Sequence, residues 1–114
     1  MKEIQAFIRP EKLNPVFDAL KHEGFCCMTV FEGEGTGKYT DPTKDWPSLK
    51  FPYLHSKVVK IEMVCNNENV DRVIEIIHQY GSTGTSGDGL IYVSDIEEVV
   101  RVRDGAKGIE TLHH

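Results

Sequence analysis

The run Thr83-Gly84-Thr85-Ser86-Gly87-Asp88-Gly89 is built almost wholly of small and hydroxylated residues and leads into the apolar segment Leu90-Ile91-Tyr92-Val93. Backbone this free of side-chain bulk can bend with its N–H groups pointing inward, the way main chain holds phosphate oxygens. Two arginines, Arg101 and Arg103, come after Val99-Val100. On an extended segment their alternate spacing puts both guanidinium groups on one side, where they can pair with one anion. Together these features predict a site for a phosphate-bearing ligand. The same composition also suits an ordinary turn between helix and strand, because Gly and Ser dominate such turns.

Two better-known phosphate motifs are excluded by spacing. Gly84 and Gly89 are separated as in a P-loop, but Leu90 stands where that motif needs lysine, and the segment after it reads as strand rather than helix. Gly33-Glu34-Gly35-Thr36-Gly37 has its glycines at alternate positions with no helix after them, so it is not a dinucleotide fingerprint.

The chain has 114 residues, enough for one domain with a core, 1–114, and no room for a second. A formal net charge of -5 argues against a surface that coats nucleic acid. No apolar run is long enough to insert in a membrane, and the opening Met1-Lys2-Glu3-Ile4 reads as strand rather than signal peptide. Cys26, Cys27 and Cys65 are odd in number and sit in apolar segments, which predicts reduced, packed thiols in a cytoplasmic protein.

The positioning elements emerge from periodicity. Residues 1–9 alternate Ile4, Ala6 and Ile8 with Glu3, Gln5, Phe7 and Arg9, a strand with one apolar face. Leu13, Val16, Phe17 and Leu20 make a helical stripe, with Pro15 tolerable in the first turn and Gly24 as the stop. A second strand is predicted over 26–31 and a third over 58–64. Asn66 or Asn67 can cap a second helix with the stripe Val70, Val73, Ile74 and Ile77. Gly81 ends it, and the glycine loop leads to a fourth strand over 90–93. The order β-α-β, connection, β-α-β predicts an α+β, ferredoxin-like fold: a four-stranded antiparallel sheet with both helices on one face. Phe7, Phe31 and Tyr92, with Lys60 and Glu62, then fall on the other face, which predicts self-association.

Between Gly33 and Lys57 lies a connection without helical or strand periodicity, and connections that long are usually functional or disordered. Pro42, Pro47 and Pro52 stand among Tyr39, Trp46, Phe51 and Tyr53. Disordered segments are poor in aromatic residues, so these read as docking anchors.

Here the chain resembles a known family, the PII signal-transduction proteins. The motif at 82–89 looks like the family's phosphate-binding B-loop, and Val100-Arg101-Val102-Arg103-Asp104-Gly105, within 100–108, looks like its C-loop. Met28-Thr29-Val30 and Val59-Lys60-Ile61-Glu62 match its second and third strands, and the connection 34–57 stands where its target-binding T-loop lies. The resemblance implies a homotrimer that binds an adenine nucleotide (ADP, ATP or AMP, with magnesium possible alongside ATP) between subunits. It also implies control of a target protein, a transporter or a metabolic enzyme, through the long loop. It places Thr29 and Val64 at the adenine, and Gly35, Gly37 and Lys38 at the base of the loop beside the nucleotide. Gly87, Asp88 and Gly89 fall at phosphate and ribose, and Arg101 and Arg103 at the terminal phosphates.

Several positions depart from the pattern. Leu90 replaces a phosphate-binding lysine, and Lys38 and Tyr39 replace arginine and glutamine. A phenol is a poor ligand for magnesium. Val58 occupies the place of the lysine that holds 2-oxoglutarate, with Lys57 one residue earlier and so on the other face of a strand. Phe51 aligns near the tyrosine that some members have modified. The expectation is a regulatory binding protein of nitrogen metabolism rather than an enzyme, with 2-oxoglutarate sensing in doubt. A weak nucleotide phosphatase would need a base. His22, His55 and His78 are candidates by residue type, and His22 and His78 lie at helix ends, away from the expected pocket. A metal-responsive protein would need ligands from Cys65, His55, His113 and His114, which lack zinc-site spacing.

Overall fold

Alternation decides the first element of the computed structural model, which describes residues 1–25, 27–36, 46–47 and 54–112, with 46–47 and 54–56 as backbone only. In strand β1 (Lys2–Ile8), Ile4, Ala6 and Ile8 are buried and the intervening residues are not. Pro10 opens a single 3-10 turn, Pro10–Lys12, which passes into helix α1 (Leu13–His22). Pro15 is the third residue of α1, where its missing N–H would have no partner within the helix. Val16 and Leu20 are buried, and Gly24 closes the helix at φ +89°, with the Gly24 and Phe25 amides donating to the Lys21 and Leu20 carbonyls.

Strand β2 (Thr29–Thr36) pairs with the long strand β4 (Leu54–Cys65), and the short strand β3 (Trp46–Pro47) pairs with β4 as well. Helix α2 (Val70–Gly81) and strand β5 (Ile91–Asp95) complete the series. The sheet order is β2-β4-β1-β5, every pair antiparallel, with β1 held between β4 and β5. This is the ferredoxin-like arrangement expected from the order of the elements. The register sets Ile4, Ala6 and Ile8 opposite Met63, Ile61 and Val59, and all six join Val16, Leu20, Val73, Ile76 and Ile77 in one core. Gly81 lets α2 come close to β1: a Cβ there would sit 3.2 Å from Ile8 Cγ2 and 3.4 Å from Val16 Cγ2.

The face away from the helices carries the aromatic groups, as the alternation requires. Phe7 meets Tyr92 edge to face at 5.6 Å, and Lys60 Nζ lies 4.6 Å over the Phe31 ring. Lys60 and Glu62 pair with each other at 2.8 Å, and Phe31 and Tyr92 are nearly half exposed.

Five expectations need correction. The second strand begins at Thr29, not at residue 26, and the fourth at Ile91. The connection is not free of strand: β2 runs on to Thr36 and β4 starts at Leu54, so a two-stranded ribbon (Gly35 opposite Ser56, Thr36 opposite His55) extends from the sheet. Backbone pairing with β4 overrides the Gly-rich sequence there, which has little side-chain pattern of its own. Neither Asn66 nor Asn67 caps α2 with its side chain; a 3-10 turn, Asn67–Asn69, leads in instead, and Asn66 Oδ1 is buried without a partner among the described residues. In α2, Ile76 is buried where the stripe predicts Ile74, since both flank the stripe at 3.6 residues per turn and the sheet lies on the Ile76 side. Of the cysteines, Cys65 is buried but Cys27 is exposed, because it precedes the strand instead of lying in it; Cys26 lies outside the described residues.

Ile61 is fully buried at the centre of this core. Ile61→Ala is expected to lower the unfolding free energy by about 2–5 kcal/mol in a denaturant titration. A loss under about 1 kcal/mol would show that the inner face of β4 is assigned wrongly.

Candidate functional site

Asp88 organises the glycine-rich loop from within. Its carboxylate accepts from the Thr83 amide (2.9 Å), the Gly84 amide (3.0 Å) and the Thr83 hydroxyl (2.6 Å). The loop does curl its first amides around an anion, and that anion is its own carboxylate. Arg9, among the described residues the one buried charged side chain, underlies the arrangement. Its Nε donates to Asp88 Oδ1 at 3.3 Å, and its Nη2 to the Ser86 carbonyl at 2.7 Å and Thr85 Oγ1 at 3.4 Å. Burial would raise the Asp88 carboxyl, but the hydrogen bonds from Thr83, Gly84 and Arg9 outweigh it and hold it below the usual carboxylate range.

The glycines answer to these contacts. Gly87 has φ +98° and lies against the Arg9 guanidinium, so a side chain there would be both strained and blocked. A Cβ on Gly89 would run into the backbone carbonyl of Phe7, whose own amide donates to the Leu90 carbonyl at 2.9 Å. With these bonds made, the amides of Ser86, Gly87 and Gly89 have no acceptor among the described residues. A cleft of about 250 Å³ beside the loop is lined by Phe7, His78, Ser82, Asp88 and Gly89 among others. His78 therefore lies at this cleft and not away from it, because the last turn of α2 feeds directly into the loop.

The arginines also differ from expectation. Residues 102–104 form a turn, not an extended strand: Val100 pairs with Lys107, the Arg101 amide donates to the Ala106 carbonyl, and the Gly105 amide to the Arg101 carbonyl. Gly105 at φ +73° permits the reversal. Both guanidinium groups gather on one acid nonetheless. Arg101 holds Asp104 through two bonds, 3.1 and 2.9 Å, and Arg103 approaches it at 3.9 Å. The hydrogen bond from Arg101, and then one from the Ala106 amide, pull the Asp104 carboxyl below its ordinary range.

Thr29 and Val64 line a second cleft, about 480 Å³, with Cys27, Glu62, Thr111 and Leu112. Gly35 is buried in the β2–β4 ribbon. Gly37 and Lys38 lie outside the described residues, as do the side chains of Trp46 and His55. Within one chain the candidate residues thus fall into separate groups: the Thr29–Val64 cleft, the loop on Arg9, and the Arg101–Arg103 turn. Arg9 is the residue that sequence reasoning passes over. Its signal is its parity with Phe7 directly after β1, which sets it apart from the apolar positions Ile4, Ala6 and Ile8. Among the described residues no three histidine, cysteine or acidic side chains gather as metal ligands.

Comparison with known proteins adds to this geometry. The family model described as "Nitrogen regulatory protein P-II" matches residues 1–106. The chain is 44% identical over 108 residues to nitrogen regulatory protein P-II 2 of Methanothermobacter thermautotrophicus, covering 95% of this chain and 94% of that one. It is 42% identical over 112 residues to the nitrogen regulatory protein P-II of Azospirillum brasilense, and 38% identical over 112 residues to that of Rhizobium meliloti. In both cases 98% of this chain and 100% of the relative are covered.

Asp88→Asn removes the charge that gathers the loop. At neutral pH the variant is expected to lose about 1–3 kcal/mol of unfolding free energy. The wild-type contribution belongs to a carboxylate whose folded value lies below its unfolded one of about 3.9. It is therefore complete above that value and lost as pH falls through the folded value. The difference between the two proteins should shrink as pH falls below the unfolded value in acid titrations followed by circular dichroism; a constant difference would contradict the assignment.

Proposed function

Because this chain belongs to the nitrogen regulatory protein P-II family, whose members are regulatory signal-transduction proteins, we propose that it is an adenine-nucleotide sensor that acts on a target protein through its long loop. ADP, ATP or AMP would bind where copies of the chain meet, in a trimer closed through the exposed aromatic face of Phe7, Phe31 and Tyr92. The observation that carries the reading is the glycine-rich loop: a framework fixed by Asp88 and Arg9 that leaves the Ser86, Gly87 and Gly89 amides without acceptors among the described residues. Amides held that way suit phosphate oxygens. The Arg101–Asp104 pair is exposed, so it holds weakly and is readily exchanged for a phosphate that both arginines can reach. Three separate groups on one chain become one pocket when the arginines of one copy close over the loop of the next, with Thr29 and Val64 against the base.

Magnesium would arrive with ATP and not as a resident ion, because the loop's carboxylate, Asp88, is already engaged by Thr83, Gly84 and Arg9. Leu90 and Val58 stand where the family pattern has lysines. Lys57 is opposite Glu34 in the ribbon and lines a cleft with Glu32, Glu34 and Val58. A dicarboxylate such as 2-oxoglutarate would meet acidic groups there, so its sensing is reduced or replaced. The transporter or metabolic enzyme under control is engaged by residues within 34–57, and nucleotide choice shifts the loop between its free and engaged states.

Light scattering should give three copies per particle, and calorimetry should show ADP or AMP binding at least as tightly as ATP. ATP binding tenfold tighter than ADP, and only with magnesium, would contradict the preference. Replacing Arg101 and Arg103 together by Ala should weaken ADP at least tenfold, because each guanidinium supplies a charge-assisted bond; unchanged affinity would remove the site. Trp46 fluorescence should respond to the nucleotide that moves the loop.

A further inference from the structure

We propose that Arg9 is a positioning residue for phosphate recognition: it fixes the glycine-rich loop in its binding geometry before any ligand arrives and touches no ligand itself. This rests on the nucleotide reading above. A buried guanidinium on a small domain needs a reason, since arginine is seldom buried unless paired. Among the described residues, every hydrogen bond its side chain makes goes to one loop. Nε reaches Asp88, Nη2 reaches the Ser86 carbonyl and the Thr85 hydroxyl, and Nη2 is the atom that a Cβ on Gly87 would strike. Asp88 passes the constraint on to the Thr83 and Gly84 amides.

The result is a loop pinned at Ser86 and at Asp88, on either side of the open Gly87 amide. Its carbonyl at Ser86 is drawn down to Arg9, and in a peptide unit the N–H points opposite to the C=O. The amide of Gly87, which shares that peptide plane, is therefore turned away from the guanidinium. The fork geometry matters as much as the charge. A planar guanidinium serves the carbonyl and the carboxylate together, whereas a lysine ammonium is a single point on a flexible stem. Arg9 is anchored in turn by β1, whose register with β4 and β5 fixes the strand up to Ile8, and by the Pro10–Lys12 turn, where the Lys12 amide donates to the Arg9 carbonyl at 3.0 Å.

The test compares ADP with adenosine by calorimetry on the full chain, in wild type, Arg9→Lys and Arg9→Met. Positioning predicts that adenosine affinity changes less than about twofold while ADP affinity falls at least about tenfold, because only the phosphates use the loop. Amide hydrogen exchange in the free protein should also speed up at 84–89 and not in β1 or β4. A wild-type ratio of ADP to adenosine affinity in Arg9→Lys would overturn the proposal, as would unchanged exchange in the loop. A parallel loss for both ligands would overturn it too, because it would mark Arg9 as a stability residue only. Should Arg9→Met fail to fold, Arg9→Lys decides. Wild-type protein that binds neither ligand would instead overturn the nucleotide reading on which this rests.

Discussion

Strand β1 is the constraint on which the rest of the molecule depends. Like β4 it is hydrogen-bonded along both edges, to β4 on one side and β5 on the other, and it reads differently on its two faces. Ile4, Ala6 and Ile8 drive one face into the helices, a burial worth about 1.5–3 kcal/mol for each large aliphatic side chain. Phe7 and then Arg9 are left on the other side, and both are committed to the residues that precede β5: Phe7 through its backbone to Leu90, Arg9 through its side chain to Ser86 and Asp88. A slip of one residue would exchange the faces and put a guanidinium into the core. Apolar packing thus sets the geometry of a polar loop with which it shares no atoms.

The architecture is legible in the sequence because its signals are local and mutually consistent. Alternation in β1 and β4 and the helical stripes of α1 and α2 point to one arrangement, and the glycines at 24 and 81 fall where the elements end. The misreadings lie where pairing, not pattern, decides. Gly33, Gly35 and Ser56 carry no alternating side chains, yet they continue a ladder because their partners across the ribbon continue it. Arg-Val-Arg alternates like a strand, but Asp104 and Gly105 reverse the chain, and a carboxylate within reach of both arginines outweighs an extended preference.

The candidate site is legible only in part, and the reason is physical. Composition identifies a loop able to cradle an anion, but cannot say that the loop's own aspartate takes the first amides and leaves the later ones open. Arg9 escapes because its partners lie 76 to 79 residues further along the chain, a separation that no periodicity encodes. Family membership supplies the regulatory setting, and the hydrogen bonds supply the reason why two of the glycines must be glycine whatever binds there.

The β2–β4 ribbon also bears on how such a chain can change. It fixes the two stems from which residues 37–53 depart, at Thr36 and Leu54, and those stems are tied to the core by continuous strand through Val59 and Ile61. Loop closure between fixed stems depends only weakly on the number of residues between them. Away from the Trp46–Pro47 pairing, residues can therefore be added or removed between the stems with little penalty to the scaffold, while one residue inserted below the stems would invert every side chain of the strand that receives it. A body built this way can change between its stems while its interior stays as it is.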